Sequence, residues 1–317
     1  MRIALSALGT RGDVQPMLAL GLALRDRGHH VRMCAPPDFE DLVIDVGLPF
    51  FPVGQDVHQM ITETCRDVVR KPLAPLRVMD EIIRFQFDDM RKACEGAEIL
   101  VGGGVQAAGA SIAEWLGIPY LYAGYCPVVL RSRQHPAPLV PKQDLPGWAN
   151  QLSWWASERF FNVVMKRALN RERARLDLAP IRNVYENVFR SGTMLLATDP
   201  ILSPPPNDAR EGVLPTGYWF YEDPAELEPL DAELSAFIAD GPAPVYVGFG
   251  SMPAEDPERL TRQVVDAILA SGQRALLHRG WAGLGDGQLP DAIRVIGSVS
   301  HAKLFPRMAA VVHHGGA

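Results

Sequence analysis

The alternation of apolar and polar residues along the chain predicts strands separated by helices. RIALSAL, near the N-terminus, is a short apolar run without helical spacing, as expected for a strand buried on both faces. In the next segment Leu18 and Leu22 share one helical face, and we expect a helix that begins at Pro16 and ends at Gly28. Further strands are predicted at HVRMCAP, PFFPV, AEILVG and PYLYAG. This order is typical of a parallel sheet with helices on both faces.

Three segments interrupt the alternation of strands and helices. Residues 54–75 are polar and lack periodicity, whereas residues 125–150 and 203–230 are rich in proline. Proline has no N–H to donate and disrupts helix interiors, so neither proline-rich segment is expected to form a long helix or a central strand. Long connections of this kind inside an α/β domain are usually functional or disordered.

A second α/β pattern begins at PVYVGFGSM (244–252) and continues through RALLHRG, IRVIG and AAVVHHGGA. We therefore predict an N-terminal domain at residues 1–225, a linker at 226–239 and a second domain at 240–317. Only about four strands fit into the second domain, and the sequence stops inside a glycine-rich turn. We expect this domain to be incomplete and the chain to be truncated at its C-terminus.

Composition narrows the classes of partner. The chain has 317 residues, 47% apolar content and a formal net charge of −6, which argues against nucleic acid or an anionic membrane as its partner. No apolar run is long enough to span a bilayer, and the N-terminus lacks a signal-peptide pattern. The four cysteines form no C-x-x-C pair, so we expect a reduced, cytoplasmic protein.

The segment GTRGDVQP places charged residues where the first strand becomes a helix. Asp13 at this position can cap the helix, as short polar side chains commonly do. It can also face a ligand, because the carboxyl ends of parallel strands and the N-termini of helices form binding sites in such folds. The spacing alone leaves both interpretations open.

The segment GGGVQAA contains Gly102-x-Gly104-x-x-Ala107, formally a dinucleotide-binding fingerprint. However, it follows the fourth predicted strand, and the next strand ends without the acidic residue that would hold a ribose. A tight strand-to-helix turn is the favoured interpretation. A dinucleotide-dependent oxidoreductase is a hypothesis that rests on this motif alone.

Two segments of the second domain suit a phosphate group. VGFGSM ends a strand with small residues, and Ser251 can donate to a phosphate oxygen. VVHHGGA places His313 and His314 before glycines whose N–H groups suit a pyrophosphate. A metal site is disfavoured because the two histidines point to opposite sides of a strand, and no Cys, Asp or Glu lies at ligand spacing. A structural role remains open for His313.

Two further segments are predicted to be helical. WANQLSWWASERFF (148–161) can either wall an acceptor pocket or bury Trp154, Trp155 and Phe161 in a core or at a dimer face, and we favour the second interpretation. KRALNRERARL (166–176) is predicted to be a solvated helix face with Leu169 and Leu176 directed inward.

Taken in order, GTRGDVQP, RMCAPPDF, PVYVGFGSMP, HRGWAGL and LFPRMAAVVHHGGA resemble the nucleotide-sugar-dependent glycosyltransferases of the GT-B fold. The resemblance is to the family 1 type, in particular to bacterial glycopeptide-antibiotic enzymes, with sterol glucosyltransferases as relatives. It implies two Rossmann-like domains with parallel sheets facing across a cleft. The acceptor would bind to the N-terminal domain and the sugar donor to the C-terminal one.

The resemblance also implies roles for individual residues. Asp13 matches the general base of the family. Thr10, Arg11 and Gly12 would lie near the donor phosphates. The remaining donor-binding residues implied are Ser251, Trp281, Val299, Ser300, His314, Gly315 and Gly316.

The implied activity is inverting transfer of a hexose from a UDP- or dTDP-sugar to a hydroxyl of a lipophilic or aromatic natural product, such as a glycopeptide, polyketide or sterol-like molecule. The resemblance implies no metal and no further cofactor. We also expect no nucleic-acid partner and no transmembrane segment. Relatives continue past the H-H-G-G-A motif with residues that contact the donor sugar. A non-catalytic binding homologue, or an inactive truncated fragment, is therefore the alternative.

Overall fold

The computed structural model describes residues 1–58, 60, 74–138, 140–190, 192–221 and 229–315. The chain divides into two compact units, residues 1–221 and 222–317. Most of the predicted polar loop at 54–75, and Gly316, lie outside the described residues. Among the described helices, none combines the length and the apolar character needed to cross a membrane.

The first unit contains a parallel sheet with helices on both faces. The strands are β1 (Arg2–Leu8), β2 (His30–Ala35), β3 (Phe50–Pro52), β4 (Ile99–Gly104), β5 (Tyr120–Gly124), β6 (Thr193–Leu196) and β7 (Val213–Pro215). They lie in the order β3-β2-β1-β4-β5-β6-β7, and each pair of neighbours is parallel. The helices are α1 (Arg11–Asp26), α2 (Glu40–Asp45), α3 (Ala74–Ala93), α4 (Gly109–Leu116), α5 (Gly147–Ala174) and α6 (Val184–Arg190).

Each face of this sheet has its own apolar core. After Arg2, every residue of β1 is buried, as its continuous apolar pattern predicts. On one face, Val14, Met17 and Leu18 of α1 pack against the sheet. On the other face, α3, α4, α5 and α6 supply the apolar side chains. The predicted arrangement of a parallel sheet between two helical layers is therefore confirmed.

Helix α1 begins earlier than the sequence pattern predicts. It starts at Arg11 and not at Pro16, so Pro16 lies inside the helix. Thr10 is the N-cap residue, and its backbone N–H donates to Asp13 Oδ2 at 2.8 Å. This bond satisfies a donor at the start of the helix and fixes the first turn ahead of the proline.

Helix α5 buries two charged side chains that were predicted to face solvent. Leu169 and Leu176 are buried as predicted, but Glu172 and Arg173 are also only 2% and 3% exposed. The Arg173 guanidinium donates to both carboxylate oxygens of Glu114 at 2.9 and 3.0 Å and to the Ser111 hydroxyl at 2.9 Å. This ion pair joins α5 to α4, because a buried guanidinium requires partners for its donors.

The second unit has a smaller parallel sheet, also covered on both faces. Its strands are β8 (Val245–Gly248), β9 (Ala275–His278), β10 (Ile293–Ile296) and β11 (Ala310–His313), in the order β10-β9-β8-β11. Its helices are α7 (Ala232–Ala239), α8 (Pro257–Ala270) and α9 (His301–Leu304). Helix α8 packs on one face, whereas α7 and α9 pack on the other.

The predicted linker at residues 226–239 differs from the structure. Residues 232–239 form α7, and Leu234 of this helix is buried in a core with Tyr246 and Leu276. The Asp231 side chain caps the helix by accepting from the backbone N–H groups of Glu233 and Leu234. The sequence before this helix is acidic and rich in proline, so the pattern predicted a linker. The structure instead has a short helix that belongs to the second unit.

We predict that Arg173→Ala lowers the free energy of unfolding by about 3 kcal/mol, since it removes the buried partner of Ser111 and Glu114 and leaves a cavity. Urea denaturation of the full chain measures this loss. The matched control is Arg167→Ala on an exposed position of the same helix, expected within about 0.5 kcal/mol of the unchanged protein. Equal effects of the two substitutions would contradict the structural role of Arg173.

Candidate active-site residues

Asp13 lies at the point where the strand order of the first sheet reverses. Strand β1 pairs with β2 on one side and with β4 on the other, and Leu8 at the end of β1 is in register with Gly104 at the end of β4. Ligands in open α/β sheets bind at this reversal, beyond the carboxyl ends of the strands. Asp13, in the first turn of the helix that follows β1, is therefore in the usual position of a functional residue.

Two glycines make room for the Asp13 carboxylate. A Cβ atom on Gly9 would lie 2.1 Å from Asp13 Oδ2, and one on Gly104 would lie 3.0 Å from Oδ1 and 2.2 Å from the Leu8 carbonyl oxygen. The distances of 2.1 Å at Gly9 and 2.2 Å at Gly104 are too short for a real side chain. Gly104 also has a positive φ of 71°, which favours glycine. The GGGVQAA segment thus forms the predicted tight turn, with Gly104 shaped around Asp13.

Burial changes the protonation of Asp13. The pKa of its carboxyl group is raised to about 6, mainly because burial disfavours the charged form, while hydrogen bonds from Thr10 act in the opposite direction. At pH 7 the group is therefore largely ionised, yet it is a much stronger base than an ordinary aspartate. Asp13 contributes to the start of α1 by accepting from the Thr10 N–H, although Thr10 and not Asp13 is the N-cap residue.

Two tyrosines surround this carboxylate, and sequence analysis did not identify them. The Tyr122 hydroxyl donates to the Gly104 carbonyl oxygen at 3.0 Å. The pKa values of Tyr122 and Tyr125 are raised by burial first and by the negative charge of Asp13 second. Both tyrosines belong to the segment PYLYAGY. The pattern of this segment indicates only an apolar strand, so nothing in the sequence marks the two tyrosines as neighbours of a candidate site.

The other predicted residues of the first unit lie beside Asp13 in the same turn. Thr10 is the N-cap residue, Arg11 is exposed as the first residue of α1, and Gly12 is half-buried. Their predicted contacts with donor phosphates stay predictions.

In the second unit, the predicted donor residues follow the carboxyl ends of four neighbouring strands. Ser251, Trp281, Ser300 and His314 come after β8, β9, β10 and β11 respectively. Because the strands are parallel, all four positions lie at one edge of the sheet.

Three of the segments at this edge touch one another. The backbone N–H of Trp281 donates to the Gly250 carbonyl oxygen at 2.9 Å. A Cβ atom on Gly250 would lie 3.0 Å from His314 Cε1, and one on Gly280 would lie 2.7 Å from the Gly250 oxygen. The glycines next to Ser251 thus allow the turns after β8, β9 and β11 to meet.

The remaining predicted donor residues have structural contacts of their own. The Ser300 hydroxyl caps α9 by accepting from the Lys303 N–H at 3.4 Å, and Val299 packs against the core beneath it. The Gly315 N–H donates to His313 Nδ1 at 3.1 Å. Nucleobase binding by Val299 and Ser300 stays a prediction.

Comparison with known proteins decides the family. A profile of the glycosyltransferase family 28 N-terminal domain matches residues 3–132. The vancomycin aglycone glucosyltransferase of Amycolatopsis orientalis is 38% identical over 333 residues, an alignment that covers all of this chain and 76% of that protein. The chain belongs to the GT-B glycosyltransferase family. The glycosyltransferase assignment replaces the oxidoreductase hypothesis, which rested on Gly102-x-Gly104-x-x-Ala107 alone.

Two further comparisons agree with this glycosyltransferase assignment. A sterol 3-beta-glucosyltransferase of Pichia angusta is 34% identical over 99% of the chain and 26% of its own length. The crystal structure of the Streptomyces sp. SF2575 glycosyltransferase SsfS6, complexed with thymidine diphosphate, has a TM-score of 0.53 at 18% identity, and the match covers all of this chain and 77% of that one. The second likeness concerns the fold alone.

We predict that Gly104→Ala disrupts the Asp13 site and lowers the free energy of unfolding by about 3 kcal/mol, since its Cβ would collide with the Leu8 carbonyl oxygen. The control is Gly117→Ala, where φ is 67° but nothing lies within 4 Å of the added atom. Its expected cost is about 1 kcal/mol, from the backbone conformation alone. Thermal or urea unfolding of both variants measures the difference, and equal losses would refute the proposed close packing.

We predict a pH-dependent stability difference between the unchanged protein and Asp13→Asn. The pKa of Asp13 is higher in the folded state than the unfolded value near 3.9, so its stabilising contribution is full below pH 4 and is lost as the pH rises through about 6. Relative to the unchanged protein, the variant should therefore gain about 2 kcal/mol between pH 4 and pH 8. Urea denaturation across this range measures it, with Asp26→Asn at an exposed position of the same helix as the matched control. A flat difference for Asp13→Asn would contradict the raised pKa.

Proposed function

We propose that this glycosyltransferase is an inverting enzyme that moves a hexose from a UDP- or dTDP-sugar to a hydroxyl of a glycopeptide, polyketide or sterol-like acceptor, with Asp13 as the general base. One observation carries the proposal. The Asp13 carboxylate is held at the carboxyl edge of β1 and β4, with its pKa raised to about 6.

The raised pKa suits proton removal from an acceptor hydroxyl. A base with a pKa near the working pH accepts a proton more readily than an ordinary aspartate, yet at pH 7 most of it is still ionised. As the hydroxyl oxygen attacks the anomeric carbon, its proton passes to Asp13. A single displacement forms the new bond on the face opposite the departing phosphate, and this inverts the anomeric configuration.

The second unit would hold the donor. His314 and Gly315 lie beyond the carboxyl end of β11, where the His314 side chain would interact with the diphosphate as negative charge develops on it. Ser251 follows β8 and would donate a further hydrogen bond. The solved SsfS6 structure is a complex with thymidine diphosphate, which supports a nucleoside diphosphate as the leaving group. These donors would stabilise the leaving group without a metal ion.

The acceptor class follows from the relatives. The related proteins are named for glucosyl transfer to the vancomycin aglycone and to a sterol. We propose that the acceptor of this chain is likewise a hydroxyl-bearing glycopeptide, polyketide or sterol-like molecule and that it binds to the first unit, which carries Asp13.

We predict that Asp13→Asn lowers the rate of transfer at least 100-fold, since general-base catalysis commonly contributes a factor of this size, while donor affinity changes less than threefold. Nucleoside-diphosphate release from UDP- and dTDP-sugars, with and without candidate acceptors, measures transfer, and calorimetry measures donor binding. Asp26→Asn serves as the control on the same helix.

Near-normal turnover by Asp13→Asn would remove Asp13 as the base. Donor binding by the unchanged protein without transfer to any acceptor would favour a non-catalytic homologue.

A further inference from the structure

Helix α5 carries large apolar side chains that remain exposed to solvent. Trp148, Leu152, Trp155 and Val163 are 67%, 55%, 54% and 77% exposed. Their spacing places them on one face of the helix, together with the exposed Arg159. We call these five side chains the Trp155 ridge. A contiguous exposed apolar surface of this kind usually marks an interaction site.

The sequence predicts that Trp154, Trp155 and Phe161 are buried in a core or at a dimer face, and the structure separates the three residues. Trp154 is 2% exposed, and its ring lies 5.7 Å from that of Tyr185, measured between centroids. Phe161 is partly buried against the core beneath α5. Trp155 belongs to neither core, so the dimer face is the interpretation left for this residue.

The Trp155 ridge contains little charge that an interface would have to remove from water. Of its five side chains only Arg159 is charged, and its guanidinium carbon lies 5.4 Å from the centroid of the Trp155 ring, in a cation–π arrangement. The adjacent Glu158 lies on another face of the helix, where it pairs with Arg131 at 3.0 Å. Covering the ridge with an apolar surface therefore leaves no isolated buried carboxylate.

The apolar area of the ridge suits one half of a protein–protein interface. At the observed exposures its two tryptophans, with the leucine and the valine, present on the order of 500 Å². An interface of standard size buries about 800 Å² on each partner, of which about 60% is apolar. The ridge thus supplies about the apolar area that one side of such an interface needs.

The shape and the surroundings of the ridge disfavour a small ligand and a membrane. From Trp148 to Val163 the ridge is about 22 Å long and follows a convex helix surface, whereas small molecules bind in concave pockets. Helices that lie on membranes carry a free basic face. On α5, however, Arg171 pairs with Asp80 at 3.0 Å, and the next basic residue, at position 175, also pairs with a carboxylate of α3.

We propose that the Trp155 ridge is the interface of a homodimer, in which the α5 helices of two copies pack antiparallel around a two-fold axis near Trp155. A two-fold interface uses the same surface on both copies, so one ridge satisfies both partners. The proposal concerns assembly and does not depend on the proposed transfer reaction.

The spacing along the ridge gives the register of the two helices. With the axis between positions 155 and 156, Trp148 of one copy lies opposite Val163 of the other, because both are equally far from the axis. In the same way, the aliphatic part of Arg159 lies opposite Leu152 of the other copy. The small side chain of Ala156, which is exposed beside the axis, allows the two helices to approach closely.

The ridge is held rigid from within the first unit. The indole N–H of the buried Trp154 donates to the His135 carbonyl oxygen at 3.2 Å. The Asn150 side chain donates to the Arg133 carbonyl oxygen at 2.8 Å. Because these bonds fix the turns of α5 that carry the ridge, little conformational freedom is lost when a second copy packs against it.

The test compares the oligomeric state of the full chain and of Trp155→Lys by sedimentation velocity. We expect the unchanged protein to dimerise with a Kd of about 10 μM or tighter, since interfaces of standard size have micromolar to picomolar affinities. Trp155→Lys should weaken dimerisation at least ~30-fold, because it removes a central tryptophan and places like charges across the axis. Its circular dichroism spectrum should match that of the unchanged protein, since the position is exposed.

The matched control is Phe220→Lys, which replaces another exposed aromatic residue of the first unit, outside the ridge. This variant should dimerise as the unchanged protein does.

A mixing experiment tests the two-fold geometry. Trp155→Lys and Trp155→Glu should each be monomeric alone, because each variant places like charges opposite each other. An equimolar mixture should form a heterodimer, because opposite charges then meet across the axis.

A monomeric unchanged protein at about 100 μM, tenfold above the expected Kd, would overturn the inference. So would a dimer that survives Trp155→Lys, equal weakening by Phe220→Lys, or a mixture of the two Trp155 variants that stays monomeric. Binding of a monomer to anionic lipid vesicles that is lost on Trp155→Lys would also overturn it, since the ridge would then contact a membrane.

Discussion

The partial burial of the Asp13 carboxylate at the junction of β1 and β4 is the constraint on which the turn after β1 depends. A carboxylate that loses contact with water is costly unless hydrogen bonds replace its hydration. Here the Thr10 N–H supplies one bond, and the remaining cost is expressed as a pKa of about 6. Gly9 and Gly104 have no side chains because the carboxylate takes their space.

The surrounding architecture serves this arrangement. The apolar strand β1 and the packing of α1 hold the turn that contains Asp13 in one position, so the carboxylate is already oriented for the proposed reaction. The second unit also has glycines where close contacts leave no room for a side chain. At the edge of its sheet, Gly250 and Gly280 allow the turns that contain Trp281 and His314 to pack against the turn after β8. In both units small residues at the strand ends create the space in which the chemistry is proposed to occur.

Much of the fold was predictable because it depends on local pattern. The apolar runs of β1 and β8 can be read from neighbouring residues, and the structure confirms both strands. The start of α1 was predicted at the wrong residue because proline is a strong sequence signal for the first turn of a helix. The hydrogen bond from the Thr10 N–H to Asp13, which forms at the true start, gives a weaker sequence signal.

Features that depend on distant contacts could not be predicted. Arg173 is buried because Glu114 and Ser111, on another helix, receive its donors. Gly104 is required because Asp13, far away in sequence, packs against it. The candidate base itself was identified from its motif, but its raised pKa follows only from the burial that the fold creates.

The central claim is that the fold turns Asp13 into a base with a pKa near neutrality. The most direct test is a pH titration of the Asp13 carboxyl carbon by ¹³C NMR in the full chain, assigned by comparison with Asp13→Asn. The account predicts a midpoint at about pH 6. A midpoint near 3.9, the value of an unperturbed aspartate, would contradict it.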